Sequence, residues 1–137
     1  MKVFIDTSSF IALFIDKEQS HKKVSEKYFY YRQQRAILFT SSFVLDELFT
    51  RLLYFGNNVD IKKYIQKLTE AISAGELAVL HVDETLFEKS INPFLKFLEH
   101  KLSFTDATTY TLYKDLEIDE VFTLDSDFKK IGVKTSF

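Results

Sequence analysis

The chain has 137 residues and a formal net charge of −2, and it contains no cysteine. This length suits one domain with a buried core, so we expect residues 1–137 to form a single domain. The lack of cysteine excludes disulfides and thiolate metal ligands, and it favours a reducing cytoplasm as the location. We expect neither a membrane span nor a signal peptide, because no apolar run approaches ~20 residues and the chain begins directly with a predicted strand.

The apolar pattern predicts short strands that alternate with helices, which is typical of an α/β protein with a mainly parallel sheet. In chain order, the predicted elements are strand Lys2–Asp6, helix Ser8–Ile15, helix His21–Arg35, strand Ala36–Thr40, helix Ser42–Phe55, helix Val59–Ala74 and strand Glu76–Val82. They continue with the helical segment Asp83–His100, helix Ser103–Leu116, strand Val121–Leu124, helix Asp127–Ile131 and a short fifth strand, Val133–Thr135.

Two of these boundaries depend on particular residues. Ser41 or Ser42 can cap the helix that follows, and the sequence 56–58 (Gly-Asn-Asn) tolerates the positive φ that often ends a helix. Asn92-Pro93 interrupts the segment Asp83–His100, because proline suits a first helical position with asparagine before it. That segment is therefore either two helices or one kinked helix.

Two aspartates follow predicted buried strands. Asp6 comes after Val3-Phe4-Ile5, and Asp125 comes after Val121–Leu124. Ligands of open α/β sheets bind just beyond the carboxyl ends of such strands, so both acids are candidates for a binding site. The structural alternatives stay open: Asp6 can cap the next helix, and Asp125 or Asp127 can form an Asx-turn or cap a short helix.

Two further acids lie inside predicted helices. Glu47 lies at the margin of an apolar helix face, where it can also form a surface ion pair with Arg51 four residues on, and Asp46 is a competing acid. Asp106 follows Ser103 at the spacing of a capping box. A cap and a cation site are compatible at this position, since one face of a first-turn carboxylate can serve the helix dipole while the other meets a metal.

Taken together, these stretches resemble a PIN-domain nuclease of the VapC type, the toxin of VapBC-type toxin–antitoxin pairs. The resemblance covers the whole chain and is carried by Val3–Ser8, the helix with Glu47, Leu102–Ala107 and Thr123–Phe128. It implies an α/β three-layer sandwich, in which helices flank a mainly parallel sheet of strand order 3-2-1-4-5. Strands one and four would then be neighbours, with Asp6 beside Asp125.

The resemblance also implies a metal-dependent endoribonuclease that leaves 5′-phosphate and 3′-hydroxyl ends. Oxygen-only ligands favour Mg²⁺ or Mn²⁺ over softer metals. The scattered histidines, His21, His81 and His100, have no ligand spacing. The implied roles are catalytic for Asp6, Glu47, Asp106 and Asp125, metal-binding for Asp6, Asp106 and Asp125, and supporting for Ser8, Thr123 and Asp127.

The implied partners are an RNA substrate, a cognate antitoxin and a second copy of the chain. The helix Ser42–Phe55 is apolar around most of its circumference, which favours a homodimer. RNA would need a local basic patch because the net charge is slightly negative. The candidates are Arg32, Arg35, Lys62, Lys63 and Lys67, whose alternative role is that of ordinary solvated side chains.

Other functional classes remain as alternatives. A PIN scaffold can serve as an RNA- or protein-binding module without catalysis, or as an RNA-processing nuclease with no antitoxin. Phosphoaspartate enzymes of the haloacid-dehalogenase type also begin with a strand-ending aspartate, but they need a second aspartate two residues later, where this chain has Ser8. A receiver domain fits poorly too, because it needs an acidic pair after its first strand.

Overall fold

The computed structural model describes residues 1–55 and 58–137, with the side chains of residues 58 and 59 excepted. Four parallel strands form a sheet of order β3-β2-β1-β4, where β1 is Lys2–Ile5, β2 is Ile37–Ser41, β3 is Ala78–Leu80 and β4 is Glu120–Phe122. The helices are α1 (Thr7–Phe14), α2 (His21–Gln33), α3 (Ser42–Leu52), α4 (Asn58–Ser73), α5 (Glu84–Lys96), α6 (Phe104–Asp115) and α7 (Asp127–Lys130), with a 3₁₀ turn at Leu98–His100.

The two central strands are buried on both faces, as expected for a parallel sheet covered by helices. The side chains of Val3, Phe4, Val121 and Phe122 have no exposed surface. The helices that flank the sheet contribute the rest of the core, for example Leu48 of α3, which is also fully buried. The predicted α/β class with a helix-flanked parallel sheet is therefore confirmed. No helix in residues 1–55 and 58–137 is both long and apolar enough to cross a bilayer.

The register between β1 and β4 determines which residues meet at the edge of the sheet. Val3 pairs with Glu120 and Ile5 pairs with Phe122, and the backbone N–H of Asp6 donates to the carbonyl of Phe122 at 3.1 Å. The residue that follows β1 is Asp6, and the residue that follows β4 is Thr123. These two side chains therefore lie side by side beyond the carboxyl ends of the strands.

The expected order 3-2-1-4-5 is wrong in its last member, because the described residues form four strands. The segment Val133–Thr135 contributes one bridge, between Val121 and Thr135. Its backbone makes two hydrogen bonds with Val121, from the Val121 N–H to the carbonyl of Lys134 and from the Ser136 N–H to the carbonyl of Val121. β4 itself is only three residues long, and beyond the bridge the Ser136 hydroxyl contacts the buried hydroxyl of Tyr31.

Several element boundaries also differ from prediction because side-chain hydroxyls take backbone hydrogen bonds. β4 ends at Phe122 and not at Leu124, since the Leu124 N–H donates to the Ser8 hydroxyl at 2.9 Å. β3 is shorter than Glu76–Val82, since the Val82 N–H donates to the Ser42 hydroxyl at 2.9 Å.

The helix ends settle the alternatives left open by the sequence. Ser41 caps α3 by accepting from the N–H of Val44. α3 ends at Leu52, and Gly56 and Asn57, which were expected to end it, lie outside the described residues. α5 is one helix that continues through Pro93 to Lys96.

Candidate active site

Asp6 occupies the single position between β1 and α1. It stands at the N-cap of α1, yet its side chain makes no capping hydrogen bond. Its Oδ2 instead accepts a hydrogen bond from the Thr123 hydroxyl at 2.8 Å and a longer one from the Ser8 hydroxyl at 3.4 Å. Only 6% of the residue is exposed. The carboxylate is therefore directed towards the residues that follow β4, and the capping alternative does not describe it.

Ser8 and Thr123 connect Asp6 to the loop after β4. Their hydroxyl oxygens lie 3.1 Å apart. The Ser8 oxygen accepts from the N–H of Leu124 at 2.9 Å, and the Thr123 oxygen accepts from the N–H of Asp125 at 3.0 Å. These hydroxyls therefore hold the buried carboxylate of Asp6 and the backbone of Asp125 in one hydrogen-bond network.

Asp106 lies in the first turn of α6 and completes the predicted capping box. Its N–H donates to the Ser103 hydroxyl at 3.0 Å, and its Oδ2 accepts from the Ser103 N–H at 3.2 Å. The pKa of Asp106 is raised to about 7, chiefly by burial and then by the negative charges of Asp6 and Asp125, while the hydrogen bonds from Ser103 oppose the rise. The cap thus coexists with strong repulsion from other acids.

The same repulsion acts on Asp6. Burial raises its pKa to about 6, against the opposing hydrogen bonds from the Thr123 hydroxyl and the Thr7 N–H. The negative charges of Glu47 and Asp125 contribute smaller parts of the same rise. The structure therefore brings Asp6, Glu47, Asp106 and Asp125 into one field of negative charge, although they come from four separate segments of the chain.

Asp125 and Asp127 occupy different environments. Asp125 Oδ1 accepts from the Asp127 N–H at 2.9 Å, which forms the predicted Asx-turn. Asp127 is the first residue of α7, with Ser126 at the cap, and its Oδ1 accepts from the Lys130 ammonium at 2.7 Å. This bond and the charge of Lys130 lower the pKa of Asp127. Asp125 has no such cation within ion-pair distance among the described residues.

The shorter β4 corrects one detail of the predicted geometry. Asp125 was expected to follow its strand directly, as Asp6 follows β1. With β4 ending at Phe122, Thr123 holds that position and Asp125 comes two residues later. The turn after Thr123, which is stabilised by the Asp125 N–H bond to the threonine hydroxyl, brings Asp125 back within electrostatic range of Asp6.

Glu47 lies at the edge of this group and forms the surface ion pair with Arg51 that the sequence allows. Its Oε1 is 3.7 Å from the Arg51 guanidinium, and the two side chains are 37% and 45% exposed. An ion pair this exposed contributes little to stability. Glu47 nevertheless acts electrostatically on Asp6, whereas the competing acid Asp46 is exposed and has no such effect on it.

The donor chemistry of the site fits a hard divalent cation. Asp6, Asp106 and Asp125 form no ion pair with a basic side chain in the described part of the chain, so their charges are uncompensated. Within residues 1–55 and 58–137, no three acidic or histidine side chains form a group that could hold a metal ion by themselves. Carboxylate oxygens are nevertheless the ligands that hard divalent cations such as Mg²⁺ and Mn²⁺ prefer.

Two buried hydroxyls without a hydrogen-bond partner lie close in the chain to two of these acids. Thr7 follows Asp6, and Thr109 lies one helical turn after Asp106. The side-chain oxygens of both threonines are buried and have no hydrogen-bond partner among the described residues. A buried hydroxyl without a partner is costly, so these two positions carry a local cost in stability close to two of the candidate acids in the chain.

The five basic residues expected at the mouth of the site lie elsewhere or remain unassigned. Arg32 is paired with Glu76 at 3.3 Å, and with Arg35 it lines a separate surface cavity. Lys63 and Lys67 line another, beside α1 and α4. The cavity that adjoins Thr123 and Asp125 is instead lined by two lysines, Lys23 of α2 and Lys129 of α7. Sequence reasoning missed this pair because the two residues are about a hundred positions apart and only the tertiary fold joins them.

Comparison with known proteins agrees with this architecture. The family model described as PIN domain matches residues 3–134. The crystal structure of Mycobacterium tuberculosis VapC20, described as a Sarcin-Ricin loop cleaving toxin, is 23% identical, with a TM-score of 0.81 over 96% of this chain and 95% of that one. A toxin–antitoxin complex from Klebsiella pneumoniae is 20% identical, with a TM-score of 0.60 over 95% and 92% of the two chains.

A third solved structure, PAE2754 from Pyrobaculum aerophilum, is 17% identical, with a TM-score of 0.62 over 98% of this chain and 89% of that one. Comparison with curated proteins gave no match. The solved structures share the fold, and the family model covers nearly the whole sequence, including all four candidate acids. The chain therefore belongs to the PIN-domain family.

Proposed function

We propose that this chain is a single PIN domain that cleaves RNA with Mg²⁺ or Mn²⁺ and serves in the cytoplasm as the toxin of a type II toxin–antitoxin pair. The observation that carries the proposal is the uncompensated negative charge of Asp6, Asp106 and Asp125, with the pKa of Asp6 raised to about 6 and that of Asp106 to about 7. Proteins place acids in this way where a cation or a proton is part of the function. PIN domains generally use divalent metal ions.

In this proposal the four acids have distinct roles. Asp6, Asp106 and Asp125 would hold the cation together with water or substrate oxygens, and the bound cation would supply an activated water and neutralise charge on the phosphoryl group. Asp6 is oriented by the Thr123 and Ser8 hydroxyls, and Asp106 by its capping box. Glu47, which is partly exposed and held by Arg51, completes the acidic rim on the side of α3.

The proposal of an antitoxin follows from the same charges. An uncompensated acidic site is a receptor for an inserted arginine or lysine, because hydrogen bonds between a guanidinium or ammonium and a carboxylate are strong. One of the similar folds was solved as a toxin–antitoxin complex. We therefore propose that a small antitoxin, encoded beside this chain, inhibits it by placing a basic side chain among the acids.

The decisive experiment measures cleavage of a single-stranded RNA by the purified chain. We expect cleavage with Mg²⁺ or Mn²⁺, none with EDTA, and inhibition when the protein encoded by the adjacent gene is added. RNA binding without cleavage in any divalent cation would favour the alternative, a PIN-scaffold binding module. Cleavage without a neighbouring inhibitor would favour an RNA-processing nuclease.

We also propose that the protein forms a homodimer through the end of α3. The buried face of α3 consists of Val44, Leu48 and Leu52. Beyond it, large apolar side chains stay exposed to between 38% and 84%, namely Phe49, Leu53, Tyr54 and Phe55. A contiguous exposed apolar surface of this kind is typical of an interaction site.

The dimer is expected to be seen by light scattering at about 50 μM, which is well above a micromolar dissociation constant. Leu53→Glu should give a monomeric mass, because it places a charge within the apolar surface. Phe29→Glu is the matched control, since Phe29 is 63% exposed on α2. A monomeric mass for the wild-type chain at this concentration would contradict the dimer.

A further inference from the structure

A cavity opens directly beside the acidic site. It has a volume of about 140 Å³, and its lining includes Thr123, Asp125, Lys23, Lys129 and Phe137. One water needs only ~15 Å³ of such space, so the cavity has room for a larger polar group with its solvent. Acidic and basic side chains thus line the same cavity at the edge of the site.

The two lysines that line this cavity differ from the lysines around it. Lys27 and Lys134 both pair with the buried Glu120 at 3.5 Å, and Lys130 pairs with Asp127. Lys23 and Lys129 have no carboxylate within ion-pair distance in the part of the chain that the structure describes. Their charges are therefore not used to compensate acids of the protein, although Asp125 lines the same cavity.

Phe137 holds one of these charges in place. The Lys23 ammonium lies 4.7 Å from the centroid of the Phe137 ring, within range of a cation–π contact. The other side of this arrangement is packed, because the Phe137 ring contacts the buried ring of Phe122 at a centroid distance of 6.0 Å. A cation–π contact leaves ammonium N–H donors available for an anion. The Lys23 charge is thus positioned without being neutralised.

We propose that this cavity is a subsite for one phosphodiester group of a single-stranded RNA, next to the group that is cleaved, with Lys23 and Lys129 as the phosphate contacts. The inference rests on the proposed ribonuclease function and adds the residues that bind the strand. A small free anion is a poorer occupant, because Asp125 lines the same cavity and repels it. A phosphate that belongs to a strand is held there by its neighbour at the cation, so the lysines and the acids act on successive groups.

The proposal predicts a separation of kinetic parameters. Lys23→Gln and Lys129→Gln should each raise the KM for a short single-stranded RNA about tenfold, which is the scale of one charged hydrogen bond, and should leave kcat within about twofold. The double variant should also flatten the salt dependence of kcat/KM, since each lost phosphate contact lowers the slope by about 0.7 for a single strand. Lys23→Arg, which keeps the charge, should stay close to wild type.

The matched control is the double variant Lys22→Gln/Lys96→Gln, which removes the same charge from two exposed lysines on α2 and α5 that do not line the cavity. If the Lys23/Lys129 double variant keeps the KM and salt slope of this control while the wild type cleaves RNA, the subsite is refuted and the ribonuclease stands. If the wild type cleaves no RNA with any divalent cation, the proposed function fails, and the subsite fails with it.

Discussion

Asp6→Asn and Asp106→Asn are each expected to abolish metal-dependent RNA cleavage, and Asp6→Asn should leave the metal-free protein more stable at neutral pH. Each change removes a carboxylate that we propose as a cation ligand. Asparagine keeps a carbonyl oxygen at position 6, so it can still accept the hydrogen bond from the Thr123 hydroxyl. What is lost is the charge, which burial and the neighbouring acids make unfavourable without a cation.

The pH dependence of this effect has a definite sign. The folded-state pKa of Asp6 is raised from 3.8 to about 6, so the folded protein binds the proton more tightly than the unfolded chain. The contribution of this carboxyl to the free energy of unfolding is fully present below about pH 4 and is lost as the pH rises through about 6. For a group this buried the loss is of the order of 2–3 kcal/mol at neutral pH.

Urea unfolding in EDTA measures this difference. Asp6→Asn should be more stable than wild type at pH 7.5, and the gap should narrow as the pH falls to about 4. Asp46→Asn is the matched control, because Asp46 is an exposed acid on α3, next to Glu47. Wild-type cleavage rates in either Asp6→Asn or Asp106→Asn with saturating Mg²⁺ or Mn²⁺ would remove that residue from the site.

Asp125→Asn is expected to slow cleavage about a hundredfold, which corresponds to about 2.7 kcal/mol of transition-state stabilisation. The amide oxygen of asparagine can still accept the hydrogen bond from the Asp127 N–H, so the Asx-turn is kept and the lost charge accounts for the effect. Asp127→Asn should lower the rate by less than about threefold. Its carboxylate is already paired with Lys130, and that pairing is the interaction that the change removes.

The two variants form a matched pair, because they remove the same charge from positions two residues apart. Both should be checked for folding by circular dichroism before rates are compared at saturating metal. The opposite ranking, with Asp127→Asn the slower enzyme, would identify Asp127 as the metal ligand. It would also mean that the ion pair with Lys130 opens when the cation binds.

The candidate acids could be named from the sequence because each lies in a recognisable local sequence pattern. Asp6 ends an apolar run, and Asp106 stands three residues after a serine before an apolar helix. The sequence could not predict how these local features combine. The ion pair with Arg51 was expected as an alternative to a role for Glu47 in a site, but the structure shows this paired carboxylate also acting electrostatically on Asp6, which only the tertiary fold brings near it.

The end of β4 was mispredicted for a related reason. Val121–Leu124 is apolar enough to read as strand throughout, but the ladder stops at Phe122 because the hydroxyls of Ser8 and Thr123 take the next two backbone N–H groups. One of those hydroxyls belongs to a residue more than a hundred positions away. The basic residues were misplaced for the same cause, because the lysines at the cavity come from α2 and α7, and no local pattern connects them.

The two hydroxyls beside Asp6 have a consequence for the direction of its hydrogen bonds. The Thr123 oxygen accepts from the Asp125 N–H and gives its single proton to Asp6, and the Ser8 oxygen accepts from the Leu124 N–H. The hydrogen bonds from the two backbone N–H groups through the hydroxyls therefore all run in the same direction, towards the carboxylate of Asp6. If a proton on the bonded oxygen of Asp6 pointed at Thr123, it would clash with the threonine proton, and the Thr123 hydroxyl would have to rotate away and give up this hydrogen bond. The backbone after β4 thereby favours the charged state of Asp6 and offsets part of the effect of burial, which still raises the pKa of this carboxyl to about 6. At neutral pH the carboxyl is then mostly in the ionised state that our proposal requires of a cation ligand.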